Sequence, residues 1–239
     1  MIKPTIFYLL CIVLLFSSCE SKNLGEYDTR AIESLDKLSE KISSLTSCSY
    51  TLQSIVSNDT LQSEMIHDAY MRGPDKMYIH SDGTKGERSF WYNGSKFAYF
   101  SFDTETYDTI AAPDNILKTI DVLNSDYNIE FPAADFFYPS LTDDILEQYN
   151  RVMFMGEEVI DNETYISIEA SNNEQTLVIS MDKNTYLPHA MIIESKTNKK
   201  DFYEATFANW QIDPNLPDLL FEFKPPTNAT RIPFASKKQ

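Results

Sequence analysis

The chain has 239 residues, with 36 acidic against 20 basic side chains and a net charge of −16. So negative a protein repels nucleic acid and anionic lipid head groups, which excludes nucleic-acid binding as its function. Of its three cysteines, Cys11 and Cys19 fall in the first nineteen residues, so Cys48 has no partner for an internal disulfide in the remainder and reads as a packed small hydrophobe.

Lys3 is followed by an apolar run over residues 6–16 and then by Ser17-Ser18-Cys19. Eleven apolar residues fall well short of the roughly 20 needed to cross a bilayer. A basic start, a short apolar core and small residues at its end form an export signal. Phe16-Ser17-Ser18-Cys19 resembles the lipobox of bacterial lipoproteins. The expectation is a signal peptide over 1–18, cleaved to leave a lipid-bearing Cys19. Two or three acyl chains would hold such a protein lastingly, where a single chain binds only marginally. Cleavage removes Lys3 alone, leaving 19 basic and 36 acidic residues and a net charge of −17. Glu20 stands where Asp commonly signals inner-membrane retention, which points to the outer membrane, facing the periplasm. Residues 19–28 read as a lipidated tether, 29–234 as a single domain and 235–239 as a C-terminal tail.

Ile32, Leu35, Leu38, Ile42 and Leu45 predict an amphipathic helix over 29–45, capped by Asp28 or Thr29 and carrying a Glu33–Lys37 pair one turn apart. Strand-like segments follow at 49–56, 64–72, 76–80, 89–92, 96–102 and 106–111. Gly73-Pro74 separates the second from the third, and Asn93-Gly94 gives a hairpin signal. The centre turns helical at 113–123, 132–137 and 141–149. Strands return at 152–160 and 164–170 around Asp161-Asn162, then at 176–181, 190–195, 202–212 and briefly 221–223. Hairpin-linked neighbours indicate antiparallel pairing rather than βαβ crossovers. The fold class is therefore α+β: one large curved antiparallel sheet of about eleven strands, an unclosed half-barrel, with helices covering its concave face.

No catalytic signature stands out. His67, His80 and His189 have no neighbour at metal-ligand spacing, and no nucleophile elbow, zinc-protease pair or phosphate-binding glycine loop is present. Asp143-Asp144 and Glu157-Glu158 are adjacent residues that neither helix nor strand places on one face. No metal, cofactor or enzymatic activity is expected. Met153-Phe154-Met155 and residues 97–102 are apolar at consecutive positions, so both faces of those strands are covered by something. Phe97, Tyr99, Phe136, Phe137, Met153 and Met155 are the candidates for lining a ligand cavity.

Several segments in order resemble a family of predicted periplasmic bacterial proteins, domain of unknown function 2092. Arg72-Gly73-Pro74-Asp75-Lys76 resembles that family's R-P-D-[KR] turn with an inserted glycine, and Tyr92-Asn93-Gly94-Ser95-Lys96 its Y-[DN]-G-K hairpin. Phe131-Pro132-Ala133-Ala134-Asp135-Phe136 is similar to its L-P-L-A-D-L segment. Trp210-Gln211-Ile212 and Phe221-Glu222-Phe223-Lys224-Pro225-Pro226 are similar to its W-x-[LI] strand and F-x-F-x-P-P signature. Tyr165-Ile166 and Gln175-Thr176 depart from it, standing where the family often has a His and a W-Q pair. The resemblance implies a fold like that of the lipoprotein carriers and receptors LolA, LolB and LppX, an unclosed curved barrel whose concave side holds acyl chains under helices. The expected function is that of a membrane-anchored, non-catalytic binder of a lipid or other hydrophobic ligand. The alternatives are an interaction or regulatory module with an envelope protein partner, and a carboxylate-based envelope hydrolase, which would need a buried Asp/Glu pair in a cleft.

Overall fold

The computed structural model describes residues 25–235. The expected export signal over 1–18, Cys19 and residues 236–239 lie outside them. The described chain begins with a two-residue strand, β1 (Glu26–Tyr27), and helix α1 (Thr29–Ser43). Asp28 caps the helix by accepting the backbone N–H of Arg30. Its apolar stripe, with Ala31, Leu35, Leu38 and Ile42, is buried. Glu33 and Lys37 do not pair; Lys37 instead reaches the hydroxyl and ring face of Tyr186.

Two meanders of antiparallel strands follow, and residues 62–72, 76–83 and 175–182 show most cleanly the period-two burial of a half-covered sheet. The first comprises β2 (Ser47–Ser57), β3 (Gln62–Arg72), β4 (Lys76–Gly83), β5 (Arg88–Tyr92), β6 (Lys96–Ser101) and β7 (Thr106–Ala111). After helix α2 (Ile116–Tyr127), a 3-10 turn at Ala134–Phe137 and helix α3 (Leu141–Gln148) comes the second. It contains β8 (Arg151–Ile160), β9 (Glu163–Ser171), β10 (Gln175–Asp182), β11 (Pro188–Ser195) and β12 (Phe202–Ile212). The β8–β9 turn is the expected two-residue one: Asp161 and Asn162 both take positive φ, as a primed hairpin turn requires.

The last strand of the second meander pairs antiparallel with the first strand of the first meander, Phe202 opposite Ser57 through Ile212 opposite Cys48. The result is a single sheet in the order β1-β8-β9-β10-β11-β12-β2-β3-β4-β5-β6-β7-β13, where β13 is Thr230–Arg231. The sheet is open, and β1 and β13 pair parallel with β8 and β7 at its two edges. Because β7 and β8 lie near opposite edges, the segment joining them must cross the sheet. That segment carries α2, the 3-10 turn and α3, which cover the concave face. Leu123, Phe136, Leu141 and Ile145 from this segment join the buried core with the inner side chains of both meanders.

The C-terminal segment covers the opposite, convex face. Residues 221–223 do not form the expected strand. Phe221 ends a 3-10 turn (Asp218–Phe221) and is buried, with the Arg72 guanidinium 5.3 Å over its ring. Arg72 also donates to the Leu216 carbonyl at 2.6 Å and pairs with Asp218. Phe223 then joins an aromatic row on the outer face, 4.9 Å from Trp91 and 5.6 Å from Tyr107. This accounts for the two-sided apolar character of β6: Phe97 and Tyr99 face inward, while Phe100 faces outward toward Phe223 at 6.3 Å. Beyond β13 the chain turns round the β7 edge. The N–H of Phe234 donates to the buried Asp108 carboxylate, and its ring reaches Phe97 and Tyr99 on the concave side. Replacing Phe221 by Ala should therefore loosen the whole convex segment and cost about 3 kcal/mol, the usual size for removing a buried phenyl group, measurable as a lower midpoint in urea unfolding.

Candidate functional site

A cavity of about 1180 Å³ lies between the concave face and its cover. This is at or above the roughly 300–1,000 Å³ of ordinary small-molecule sites. Leu52, Ala69, Met71, Ile79, Phe90 and Met191 belong to its floor, from β2, β3, β4, β5 and β11. Ile120 and Asp121 of α2, residues 128–135, Phe137, Tyr138 and Phe234 form its other side. The floor is apolar because every second residue of those strands is.

One end of the floor breaks this rule. His67 and Ser81 face each other on β3 and β4, Ser81 faces Arg88 on β5, and Arg88 faces Ser101 on β6. The imidazole of His67 is buried and satisfied on both nitrogens, Nε2 at 3.0 Å from Ser54 Oγ and Nδ1 at 2.7 Å from Ser81 Oγ. Burial, with the nearby Arg88 charge adding to it, pushes the imidazole down to about 4. The ring is therefore neutral at physiological pH. Ser63 and Lys85 join the lining at the same end. Individually each of these residues is one polar letter in an alternating strand, and only the strand register groups them.

A serine bonded to a histidine suggests nucleophilic chemistry, but the surroundings do not support it. An imidazole held near 4 is a weak base at neutral pH. Ser54 sits between two ladders, opposite Ala205 and Met65, so the neighbouring backbone N–H groups are committed to the sheet rather than to an oxyanion. Nor do the carboxylates that line the cavity make the pair a hydrolase would need. Asp135 and Asp144 both reach solvent at its rim. Asp135 is held above the usual carboxylate range, mainly by partial desolvation and further by Asp144. No cluster of ligating side chains suited to a metal ion occurs among the described residues.

Of the six side chains expected to line a cavity, Tyr99 and Phe137 do so. Phe97 and Phe136 are fully buried beside it, against Phe90 and Phe207 respectively. Met153 and Met155 belong elsewhere. Val152 and Phe154 take the inward positions of β8, so Met153, opposite Glu169, lies on the other face. Met155 is the extra residue of a bulge between Phe154 and Gly156 and is 55% exposed. Cys48 is buried, and desolvation pushes its thiol up to about 12, which leaves it inert. His80 bonds to Ser89, and His189 stacks on Tyr165.

The family model described as "Predicted periplasmic protein (DUF2092)" matches residues 31–235. The chain belongs to this family. No curated protein matches the sequence. Among solved structures, the DUF2092 chain is similar to an uncharacterized conserved protein from Thermus thermophilus, with a TM-score of 0.53 and 11% identity over 85% of this chain and 98% of that one. It is also similar to LprF from Mycobacterium bovis, with a TM-score of 0.50 and 13% identity over 80% and 99%. The lipoprotein LppX from Mycobacterium tuberculosis aligns with a TM-score of 0.49 and 13% identity over 80% and 98%. At 11% and 13% identity, the likeness to the Thermus thermophilus protein and to LprF is one of fold alone.

The neutral His67 of this DUF2092 protein makes a pH prediction. Its folded-state value of about 4 lies below the ordinary 6.5, so the unfolded chain takes up a proton first as pH falls. Its contribution is intact above about 6.5 and lost progressively toward 4, on the order of 3 kcal/mol in all. His67→Gln, which cannot titrate, should show a shallower fall in unfolding free energy between those pH values than the wild type, read by urea unfolding at a series of pH values.

Proposed function

We propose that this protein is a non-catalytic, envelope-anchored binder of a hydrophobic ligand, with an acyl chain as the natural class. The observation that carries this reading is the large space left between an apolar sheet floor and its helical cover. Burying a methylene there is favourable by about 0.8 kcal/mol, so a chain of a dozen carbons binds without any specific polar contact. The family's description as periplasmic fits an envelope location.

Anchoring through a lipid on Cys19, facing the periplasm from the outer membrane, completes the proposal. Glu26 and Tyr27, expected to be tether, instead pair with Arg151 and Val152. From an anchor at Cys19, the covalent length of residues 19–25 would allow a span of at most about 25 Å. A protein so held would receive, hold or sense lipid at one membrane rather than ferry it between two.

Two experiments test the two halves. Residues 25–235 should carry co-purifying lipid detectable by mass spectrometry and bind a fluorescent fatty acid. Ile193→Trp, which places an indole in the cavity, should weaken that binding on the order of tenfold, about 1.4 kcal/mol, with an unchanged far-UV circular dichroism spectrum. Binding unaffected by Ile193→Trp would place the ligand elsewhere. In cells, labelled palmitate should be incorporated into the full chain and not into Cys19→Ala; equal labelling would refute the anchor.

A further inference from the structure

The cavity is not uniformly apolar, and its polar end has a sign. Arg88 belongs to the row that includes His67 and Ser81, and Lys85 lies in the loop just before β5, its backbone N–H on the Met65 sulfur. Both line the cavity. Neither forms an ion pair among the described residues, although the chain has 36 acids to offer. The carboxylates that line the cavity, Asp121, Glu130, Asp135 and Asp144, all come from the helical cover and not from this end of the sheet. Two cations outside any ion pair at the mouth of an apolar trough, beside hydroxyl groups of Ser54, Ser63 and Ser81, supply donors of the kind that an oxyanion accepts from.

Resting on the hydrophobic-ligand reading above, we infer that Lys85 and Arg88, with the serine hydroxyls beside them, hold the anionic head group of an amphiphile whose chain lies along the apolar floor. A phosphate or carboxylate suits this end, since guanidinium and ammonium both donate to oxyanions and the serine hydroxyls can add hydrogen bonds. The neutral His67 supports the arrangement structurally by fixing Ser54 and Ser81. Long-range electrostatics cannot substitute for local recognition here. With a net charge of −16 the protein as a whole repels an anion, so a preference for one has to arise from this cluster.

The test compares four probes by calorimetry on the chain lacking only residues 1–19: dodecyl phosphate, dodecyl maltoside and dodecyltrimethylammonium, each below its micelle concentration, and inorganic phosphate. Dodecyl phosphate should bind at least about tenfold more tightly than the maltoside, the difference expected of one or two charge-assisted contacts. In Lys85→Met/Arg88→Met the phosphate amphiphile should fall to the level of the maltoside, whose own affinity stays as it was. Equal affinity for the anionic and neutral probes in the wild type, a preference for the ammonium, or a preference surviving in the double variant would each overturn the head-group assignment. So would inorganic phosphate binding as tightly as dodecyl phosphate, because the chain would then contribute nothing. Failure of all three dodecyl probes to bind would instead defeat the hydrophobic-ligand reading on which the assignment rests.

Discussion

The antiparallel seam between β12 and β2 is the interaction on which the remaining architecture depends. Each meander is held by local hairpins, whereas this seam joins residues some 150 positions apart into one sheet. It is reinforced where it ends. Asn209 takes a positive φ at an irregularity between Ala208 and Gln211. Asp213 then accepts hydrogen bonds from the backbone N–H groups of Thr46 and Ser47 and from the Thr46 hydroxyl. Once first and last strands of the two meanders are paired, their other ends, β7 and β8, are driven ten strand spacings apart, roughly 48 Å along the sheet at ordinary strand spacing. The connection between them has to traverse the concave face. The helical cover, and hence the cavity beneath it, is a topological consequence of the seam.

What the sequence makes legible follows from this division between local and distant pairing. Asp161-Asn162 encodes its turn in two residues that tolerate positive φ, and the α1 stripe encodes a buried helix face. The seam has no such signal, because pairing across most of the chain depends on both faces of a whole strand. The polar row is hidden for the same reason: His67, Ser81 and Arg88 belong to three strands and meet only through register. Met153 and Met155 look like cavity lining because apolar residues run consecutively through β8, yet a bulge at Met155 interrupts the alternation there. Phe221 and Phe223 look like a strand because they alternate, whereas both are spent on the convex face, against Arg72 and Trp91.

The polar row also shows how a binding floor can be polar without being unstable. A buried hydroxyl or imidazole without a partner costs about 1–3 kcal/mol. Ser54, His67 and Ser81 avoid that cost by bonding to one another, so no ligand is needed to satisfy them. The charged groups are placed differently. Lys85 is exposed and Arg88 half-buried, both able to remain hydrated in an empty protein. The neutral polar groups are thus internal to the fold, and the charges are left at its boundary.

The two edge strands, β1 and β13, come from the two ends of the chain. Bare sheet edges recruit strands from other molecules, and proteins blunt them with short covering strands, charges and bulges. Here β13 pairs with Thr106 and Tyr107, and β1 with Arg151 and Val152, so that among the described residues most of β8 has no neighbour on that side. That stretch carries the exposed Val159 and Ile160 together with the bulge at Met155 and the acidic Glu157-Glu158. The charges and the bulge are situated where self-association through the edge would otherwise begin. Loss of either edge strand, by proteolysis or truncation, would extend the bare margin and turn the sheet into a template for aggregation.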